Sequence, residues 1–267
     1  MVLTKELKTE IKKIIKDAIV KKINEYKLVG DIKPFHEKLF SKEKIREASF
    51  FHSCSTTIGT TLFQNIAYLI AKNNKNFKKV EKQFEVKGNF SNQAKSLIED
   101  IIFDLGRKQD DSKKRMPNIK KEIKEVLSVS GNGEKSSQIA DLFLIDLKDN
   151  EIYIEIKTIK PNKGESEKIK RTLLKIIALR NKPVKVLCGI AYNPYEPKKF
   201  AWPLPLNYLK IGDDLLIGKE FWNFLGGNGT YEELLNVFEE TGKELKEKIE
   251  NKFREIIKKN YGKNRKN

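Results

Sequence analysis

The stretch IADLFLIDLKDNEIYIEIK, residues 139–157, decides the fold because it contains two runs of strand-forming residues. In the second run, isoleucines alternate with polar and charged residues, which is the period of two of a β-strand. The intervening Lys148-Asp149-Asn150 is a hairpin signal. The sequence therefore predicts two antiparallel strands, at Gln138–Leu147 and Glu151–Ile159.

Two carboxylates and a lysine lie within this predicted hairpin. Period two places Glu155 and Lys157 on one face of the second strand, and Asp141 interrupts the apolar run of the first. If Lys148–Asn150 is the turn, Asp141 faces Lys157, so the two carboxylates are diagonal neighbours about 5.5–8 Å apart at Cβ. A two-residue turn would bring Asp146 to that face instead and turn Asp141 away. We favour Asp141, because Asp146 lies near the hairpin end, where solvated acids are common.

The residues around the hairpin extend this pattern into a mixed α/β core. A basic helix at Glu165–Arg180 and a strand at Val184–Ala191 follow it, in the order strand, strand, helix, strand. Amphipathic patterns predict further helices towards both ends of the chain. They lie at residues 3–27, 62–70, 92–105, 221–225 and 230 to about 259. With no repeat and no low-complexity linker, the chain is expected to form one unit.

Composition narrows the class of protein. The 54 Lys and Arg exceed the 37 Asp and Glu, which gives a net charge of +17 and indicates a polyanionic partner such as nucleic acid. No run of about 18 apolar residues and no signal peptide is present, so we expect a cytoplasmic protein with no membrane contact. Two cysteines and two histidines cannot form a zinc framework with motif spacing. Chemistry is therefore expected from carboxylates and lysines.

Asp141, thirteen residues and then Glu155-Ile156-Lys157 resemble the active-site motif of the PD-(D/E)xK nuclease superfamily, with Ala140 in place of the proline. More specifically, the chain resembles type II restriction endonucleases that recognise the interrupted palindrome GGNCC. This resemblance spans most of the chain. It is most recognisable in three segments: Phe51–Gly59, Ala140–Thr158 and Gly218–Trp222.

The resemblance implies a fold, a reaction and partners. The fold is a restriction-endonuclease-like core, a mixed sheet flanked by helices, with additional N- and C-terminal helices. A single domain would cover residues 1–267, with the catalytic core at about 90–200, an N-terminal helical region at about 1–89 and a C-terminal one at about 201–267. The implied protein is a homodimer that cuts both strands of double-stranded DNA with Mg²⁺, alongside a companion DNA methyltransferase.

The resemblance also assigns roles to individual residues. Asp141, Glu155 and the carbonyl of Ile156 would hold one or two Mg²⁺ ions, which prefer oxygen ligands. Lys157 would orient the attacking water or stabilise the developing negative charge. Glu99, on the preceding helix, would assist metal binding as acids there often do in the superfamily.

Candidate DNA contacts come from the basic residues near the hairpin. Only seven of the 54 cations are arginine, the residue whose guanidinium matches guanine O6 and N7. The candidate base readers are Arg107, Arg115, Arg171 and Arg180; Lys168 and Lys175 form a line with Arg171 that suits a DNA backbone. Two other functions are open: a junction-resolving or repair nuclease of the same superfamily, or a non-catalytic basic protein that binds nucleic acid.

Overall fold

The computed structural model describes residues 3–27, 33–108 and 110–258 of the 267-residue chain. The end of the predicted C-terminal helical region, residues 259–267, lies outside the described residues. Within these ranges no helix has the length and apolar character needed to cross a membrane.

A five-stranded mixed sheet forms the centre of the fold. Its strands are β1 (Phe77–Phe90), β2 (Glu134–Asp146), β3 (Glu151–Lys157), β4 (Lys185–Ile190) and β5 (Leu215–Ile217), adjacent in this order. The pairs β1–β2 and β2–β3 are antiparallel, whereas β3–β4 and β4–β5 are parallel. The expected α/β class, a mixed sheet flanked by helices with additional helices, is confirmed.

Helices form at every segment that the sequence analysis predicts to be helical, and further helices form outside those segments. They are α1 (Lys5–Glu25), α2 (Pro34–Leu39), α3 (Lys42–Thr57), α4 (Phe63–Lys72), α5 (Asn92–Leu105), α6 (Ile119–Ser128), α7 (Lys163–Arg180), α8 (Pro203–Leu206), α9 (Lys219–Gly226) and α10 (Thr230–Lys258). A π-helical turn at Ile58–Leu62 separates α3 from α4. Helix α7 starts sharply because Asn162 and Glu165 form a reciprocal capping box at its first turn.

The chain divides into two compact units. Among the described residues, the first comprises residue 3 and residues 63–232, and the second residues 4–62 and 233–258. The first unit contains the whole sheet, which extends beyond the expected core range of about 90–200 because β1 begins at Phe77 and β5 ends at Ile217. In the second unit α1 buries one stripe of aliphatic side chains, the apolar face that the sequence predicts. That stripe comprises Leu7, Ile11, Ile15, Ile19 and Ile23.

Helices cover both faces of the sheet in the first unit. Helix α7 crosses over between the parallel strands β3 and β4 and contacts β1 to β4, with α5 and α6 packed beside it. Helices α4 and α9 lie on the opposite face, where a Cβ on Gly189 would meet the Phe221 ring at 2.3 Å. Only a glycine therefore allows α9 to approach β4 this closely. Phe221 and Trp222 are buried core residues.

The sequence pattern missed two strands, β1 and β5. Of the 14 residues of β1 only Val86 is fully buried, and its lysines and glutamates hide the period of two. β5 is three residues long, which is too short for a periodic signal. Both strands form because their backbones complete a neighbouring ladder, a tertiary effect that outweighs local propensity.

The hairpin register differs from expectation by two residues. Phe143 pairs with Tyr153 and Leu142 with Ile154, so continuing the register places Asp141 opposite Glu155 rather than Lys157. The cause lies in the turn, where the Asp146 carboxylate accepts hydrogen bonds from the backbone N–H of Lys148 and Asn150 at 2.8 and 2.9 Å. A shift of two preserves which side chains share a face. Asp146 is thus a turn residue, whereas Asp141 lies one residue beyond the last pair of the ladder, where its carboxylate accepts the N–H of Ile156 next to Glu155.

A buried ion triad lies between α6, α7 and the start of β5. Lys170 Nζ contacts the carboxylates of Glu122 and of Asp214, the latter at 2.9 Å, and all three side chains are fully buried. The remaining carboxylate oxygens accept backbone N–H groups: Asn118 donates to Glu122 at 3.0 Å and Lys210 to Asp214 at 2.7 Å. The triad therefore links three elements behind the sheet through ion pairs, as buried charges require.

Candidate active site

Asp141 lies where β2 and β3 separate. Their pairing ends at Leu142 and Ile154, and beyond this point the carboxylate of Asp141 replaces a backbone acceptor: its Oδ2 accepts the N–H of Ile156 at 2.7 Å. The N–H and C=O of one strand residue point to the same side. The Ile156 carbonyl therefore faces Asp141 as well, which brings together two oxygen-bearing groups of the kind that bind metal ions.

Glu155 and Lys157 lie beside Asp141 on the α7 side of the sheet. Lys157 Nζ donates to Glu155 Oε1 at 2.7 Å, and the two side chains are 30% and 13% exposed. They are therefore largely buried but open to solvent at one edge. The three residues that the motif singles out, Asp141, Glu155 and Lys157, are thus brought together, with Ile156 between them.

The electrostatics of this group reflect crowded charge. Burial, followed by the negative charge of Asp141, raises the pKa of Glu155. Burial acts to lower the pKa of Lys157, but the charge of Glu155 and its hydrogen bond outweigh it and the pKa is raised. Lys157 is therefore a firmly protonated cation beside two carboxylates that repel each other.

The donor chemistry fits a hard divalent cation. Two carboxylates and a backbone carbonyl are oxygen ligands of the kind that Mg²⁺ prefers, and Mg²⁺ usually binds through one or two carboxylates and completes its shell with water and substrate phosphate. Across the described ranges no cluster of three or more His, Cys, Asp or Glu side chains is suited to hold a metal. A cation here would accordingly rest on Asp141, Glu155 and the Ile156 carbonyl. It would also offset the repulsion between the two carboxylates.

Glu99 lies on α5 and is bound by α7. Arg171 donates to both of its oxygens, from Nε at 2.7 Å and from a terminal nitrogen at 2.8 Å. The pair is half exposed, and the hydrogen bond from Arg171 lowers the pKa of Glu99. The structure thus joins two of the candidate residues to each other.

The remaining candidate DNA contacts differ in their surroundings. Lys168 is exposed on α7, and its charge acts to lower the pKa of Glu155, which places it near the group. Lys175 lies over the Phe90 ring, 5.4 Å from its centroid. The other three candidate arginines each pair with a carboxylate: Arg107 with Asp104 and Asp111, Arg115 with Glu125, and Arg180 with Glu151.

Glu151 occupies the opposite end of β3 from Glu155. Arg180 donates to both of its oxygens at 2.8 and 2.7 Å, and Lys182 lies 2.9 Å away. Burial acts to raise the pKa of Glu151, but hydrogen bonds from Arg180 and Lys182 outweigh it and lower the pKa to about 2. The cluster stabilises the turn end of the hairpin.

We therefore expect Glu151 to contribute to acid sensitivity. A carboxylate with a depressed folded-state pKa stabilises the fold above its unfolded value near 4.5, and the contribution is lost as pH falls towards about 2. In Glu151→Gln the free energy of unfolding in urea should change less between about pH 6 and about pH 3 than in the wild type. Glu134→Gln, at an exposed acid of the same sheet, serves as control. An unchanged pH dependence in Glu151→Gln would contradict the assignment.

Two features near the group were not found from the sequence. Gln83 on β1 donates from Nε2 to Asp141 Oδ1 at 3.1 Å, but β1 itself was not predicted. Lys160, three residues after Lys157, lies between two rings, 4.7 Å from the centroid of Tyr195 and 5.3 Å from that of Trp202. The aromatic residues of the proline-rich segment 192–205 are a sequence signal for such a contact, although only the fold brings that segment beside β3.

Comparison with known proteins identifies a family for the chain. Residues 3–242 match the model of the family described as type II restriction endonuclease, HinfI. The type II restriction enzymes HgiCII and HgiBI of Herpetosiphon aurantiacus are 27% and 28% identical over 220 residues, covering 80% of this chain and 78% of each relative. The type II restriction enzyme MjaII of Methanocaldococcus jannaschii is 31% identical over 225 residues, covering 76% of this chain and 57% of that protein.

A mixed sheet with a carboxylate–lysine group at its strand ends, together with these similarities, defines a nuclease of the restriction-endonuclease class. The chain belongs to the HinfI family of type II restriction endonucleases, since the family match covers most of its length. It is accordingly an enzyme, a site-specific deoxyribonuclease that acts on double-stranded DNA.

Proposed function

We propose that this enzyme hydrolyses both strands of DNA at GGNCC with Mg²⁺ bound by Asp141, Glu155 and the Ile156 carbonyl. The observation that carries the proposal is the hydrogen bond from Ile156 N–H to Asp141 Oδ2 at 2.7 Å. It holds the carboxylate of one strand against the Glu155-Ile156-Lys157 segment of the next. The proposed recognition site rests on the resemblance of the three segments quoted from the sequence.

The residues of the proposed active site have different roles in phosphodiester hydrolysis. When bound, Mg²⁺ supplies positive charge that offsets the negative charge developing on the phosphate. Glu155 accepts a hydrogen bond from the ammonium of Lys157 at 2.7 Å, which fixes the position of that ammonium. From there Lys157 orients the attacking water or stabilises negative charge on a phosphate oxygen.

Basic residues on α7 extend the site towards DNA. Lys168 is exposed and its charge reaches Glu155, so a phosphate bound near the carboxylates would lie within its field. Arg171 and Lys175 follow along the helix. Arg107, Arg115 and Arg180 remain candidates for base contacts, for which each would exchange its present carboxylate partner for DNA. A role of Glu99 in metal binding likewise requires that its carboxylate exchange Arg171 for the metal ion.

The proposal includes partners beyond the DNA. A palindromic site is matched by a two-fold symmetric homodimer, in which each copy cuts one strand. Protection of the host's own sites calls for a companion methyltransferase of the same specificity and a shared cytoplasmic location. We also propose that both units of the chain belong to one restriction-endonuclease domain.

A run-off digest tests the proposed function. The purified protein is incubated with a sequenced plasmid and Mg²⁺, and the ends of the fragments are sequenced. Discrete fragments ending at GGNCC support the proposal, and discrete fragments ending at another sequence overturn the specificity alone. Nicks that follow DNA structure indicate a repair or junction-resolving nuclease. A gel shift without cleavage indicates a non-catalytic binding protein.

Lys157→Ala should slow the chemical step by about 10²–10³-fold, as expected for loss of one transition-state stabiliser. The melting temperature should change little, because the side chain is partly exposed and contacts solvent at the site edge. Single-turnover cleavage and thermal denaturation measure the two quantities. Parallel losses of activity and melting temperature would instead mark Lys157 as structural.

A further inference from the structure

β1 contains an irregularity directly beside Asp141. Gln83 has a φ of 51°, in the left-handed region that a residue with a side chain rarely adopts within a strand. The residues on either side pair with β2 without any slip in register. No inserted residue therefore accounts for this conformation, and the backbone is locally strained at Gln83.

At the left-handed residue, β1 rotates about its own axis, so its two faces exchange while the chain keeps its direction. Lys82 donates to Asn65 of α4 at 3.0 Å, whereas Phe84 stacks on Phe143 at a centroid distance of 4.2 Å in the core beneath α7. Residues two apart in a regular strand point to the same face. Lys82 and Phe84 point to opposite faces, so Gln83 occupies the position at which β1 turns over.

The side chain of Gln83 reaches Asp141 from this position. Its Nε2 donates to Asp141 Oδ1 at 3.1 Å, while Ile156 N–H donates to Oδ2 at 2.7 Å. A carboxylate only accepts hydrogen bonds, so the amide nitrogen of Gln83 must be the atom that faces it. Both oxygens of Asp141 are thus held, one from each neighbouring strand, and the plane of the carboxylate is fixed.

We propose that Gln83 is a positioning residue that orients Asp141 for the divalent cation. The inference rests on the proposed function, in which Asp141 is a metal ligand. Groups that hold a metal ligand from behind typically contribute 10–100-fold to metal affinity or activity. The strained backbone of Gln83 is kept because it aims the amide at the carboxylate.

Two variants separate the side chain from the backbone. Gln83→Ala removes the amide and keeps a residue with a Cβ in the left-handed conformation. Gln83→Gly removes the amide and also relieves the strain, since glycine adopts positive φ readily. If Gln83 only serves the backbone, the glycine variant should be more stable than the wild type and equally active. If Gln83 positions Asp141, the glycine variant should be more stable but as impaired as the alanine variant.

Two readouts follow the metal. The first is the Mg²⁺ concentration that gives half the maximal single-turnover rate, and the second is Mn²⁺ binding to the protein–DNA complex, measured by electron paramagnetic resonance. Both variants should need about 10–100-fold more metal, with partial recovery of the rate at high Mg²⁺. Gln138→Ala is the matched control, because its amide nitrogen bonds the Ile139 carbonyl on β2.

Failure of this inference differs from failure of the proposed function. If Asp141→Ala abolishes cleavage but both Gln83 variants show the metal dependence of the wild type, Gln83 has no positioning role. If Asp141→Ala still cuts, the metal-site assignment is wrong and the role of Gln83 with it. Weakened Mn²⁺ binding in both Gln83 variants, and not in the control, supports the positioning role.

Discussion

Replacement of either proposed metal ligand should abolish DNA cleavage. Asp141→Ala or Glu155→Ala removes one of two carboxylates that bring Mg²⁺ to the phosphate, and we expect a loss on the order of 10³-fold or more, since the metal supplies several kcal/mol of transition-state stabilisation. DNA binding should survive or become tighter, because each substitution removes a negative charge that repels phosphate. Plasmid cleavage with Mg²⁺ and binding to a labelled duplex without Mg²⁺ measure the two effects.

Asp146→Asn is the matched control for this experiment. Asp146 was the alternative ligand, and its carboxylate instead accepts backbone N–H groups of the hairpin turn. An asparagine retains a side-chain oxygen for this purpose, so the variant should cut at a rate close to that of the wild type. Near wild-type cleavage by either ligand variant, or loss of cleavage in Asp146→Asn, would show that the assignment is wrong.

Lys170→Met should cause the largest loss of stability of any single lysine substitution that we consider. The substitution leaves Glu122 and Asp214 buried without their shared cation, and breaking a buried ion group typically costs about 3–5 kcal/mol. At roughly 2–4 °C per kcal/mol for a protein of this size, the melting temperature should fall by about 6–20 °C. Thermal denaturation and urea unfolding monitored by circular dichroism provide the measurement.

Lys168→Met is the control on the same helix, because its side chain is exposed and a surface substitution usually changes stability by about 0.5 kcal/mol or less. A second variant tests the physical cause. Adding Glu122→Gln and Asp214→Asn to Lys170→Met removes the unpaired charges and should recover part of the lost stability. If Lys170→Met unfolds with the wild-type midpoint, the triad does not stabilise the fold.

Much of the fold could be predicted because its elements have strong local patterns. Helix α5 coincides with the predicted Asn92–Leu105, where a serine cap and a periodic apolar stripe agree. β3 and α7 match to within a few residues for the same reason. The motif at Asp141 and Glu155-Ile156-Lys157 was likewise visible, because acids within an apolar strand run depart from the burial that the rest of the run predicts.

The features that the sequence did not predict depend on contacts between distant segments of the chain. The triad of Lys170 has a weak local signal, since the lysine occupies the apolar stripe of α7 with Leu174, but only the fold supplies its carboxylates. The hairpin register was two residues off because the Asp146 carboxylate, through bonds to backbone N–H groups, sets the turn. The two acids nevertheless lie close together, because the Asp141 carboxylate accepts the N–H of Ile156, the neighbour of Glu155.

By itself, the sequence determined the class of the fold and the residues of the hairpin motif, because periodicity and the placement of charges are local properties. Only the tertiary structure decided how Asp141 is held. The ladder between β2 and β3 ends one pair before Asp141. Ile156 N–H donates a hydrogen bond to Asp141 Oδ2, and Gln83, on a strand that no pattern predicted, donates one to Asp141 Oδ1. Such contacts join residues up to 58 positions apart, and no local propensity specifies them, because they form only when three strands lie side by side.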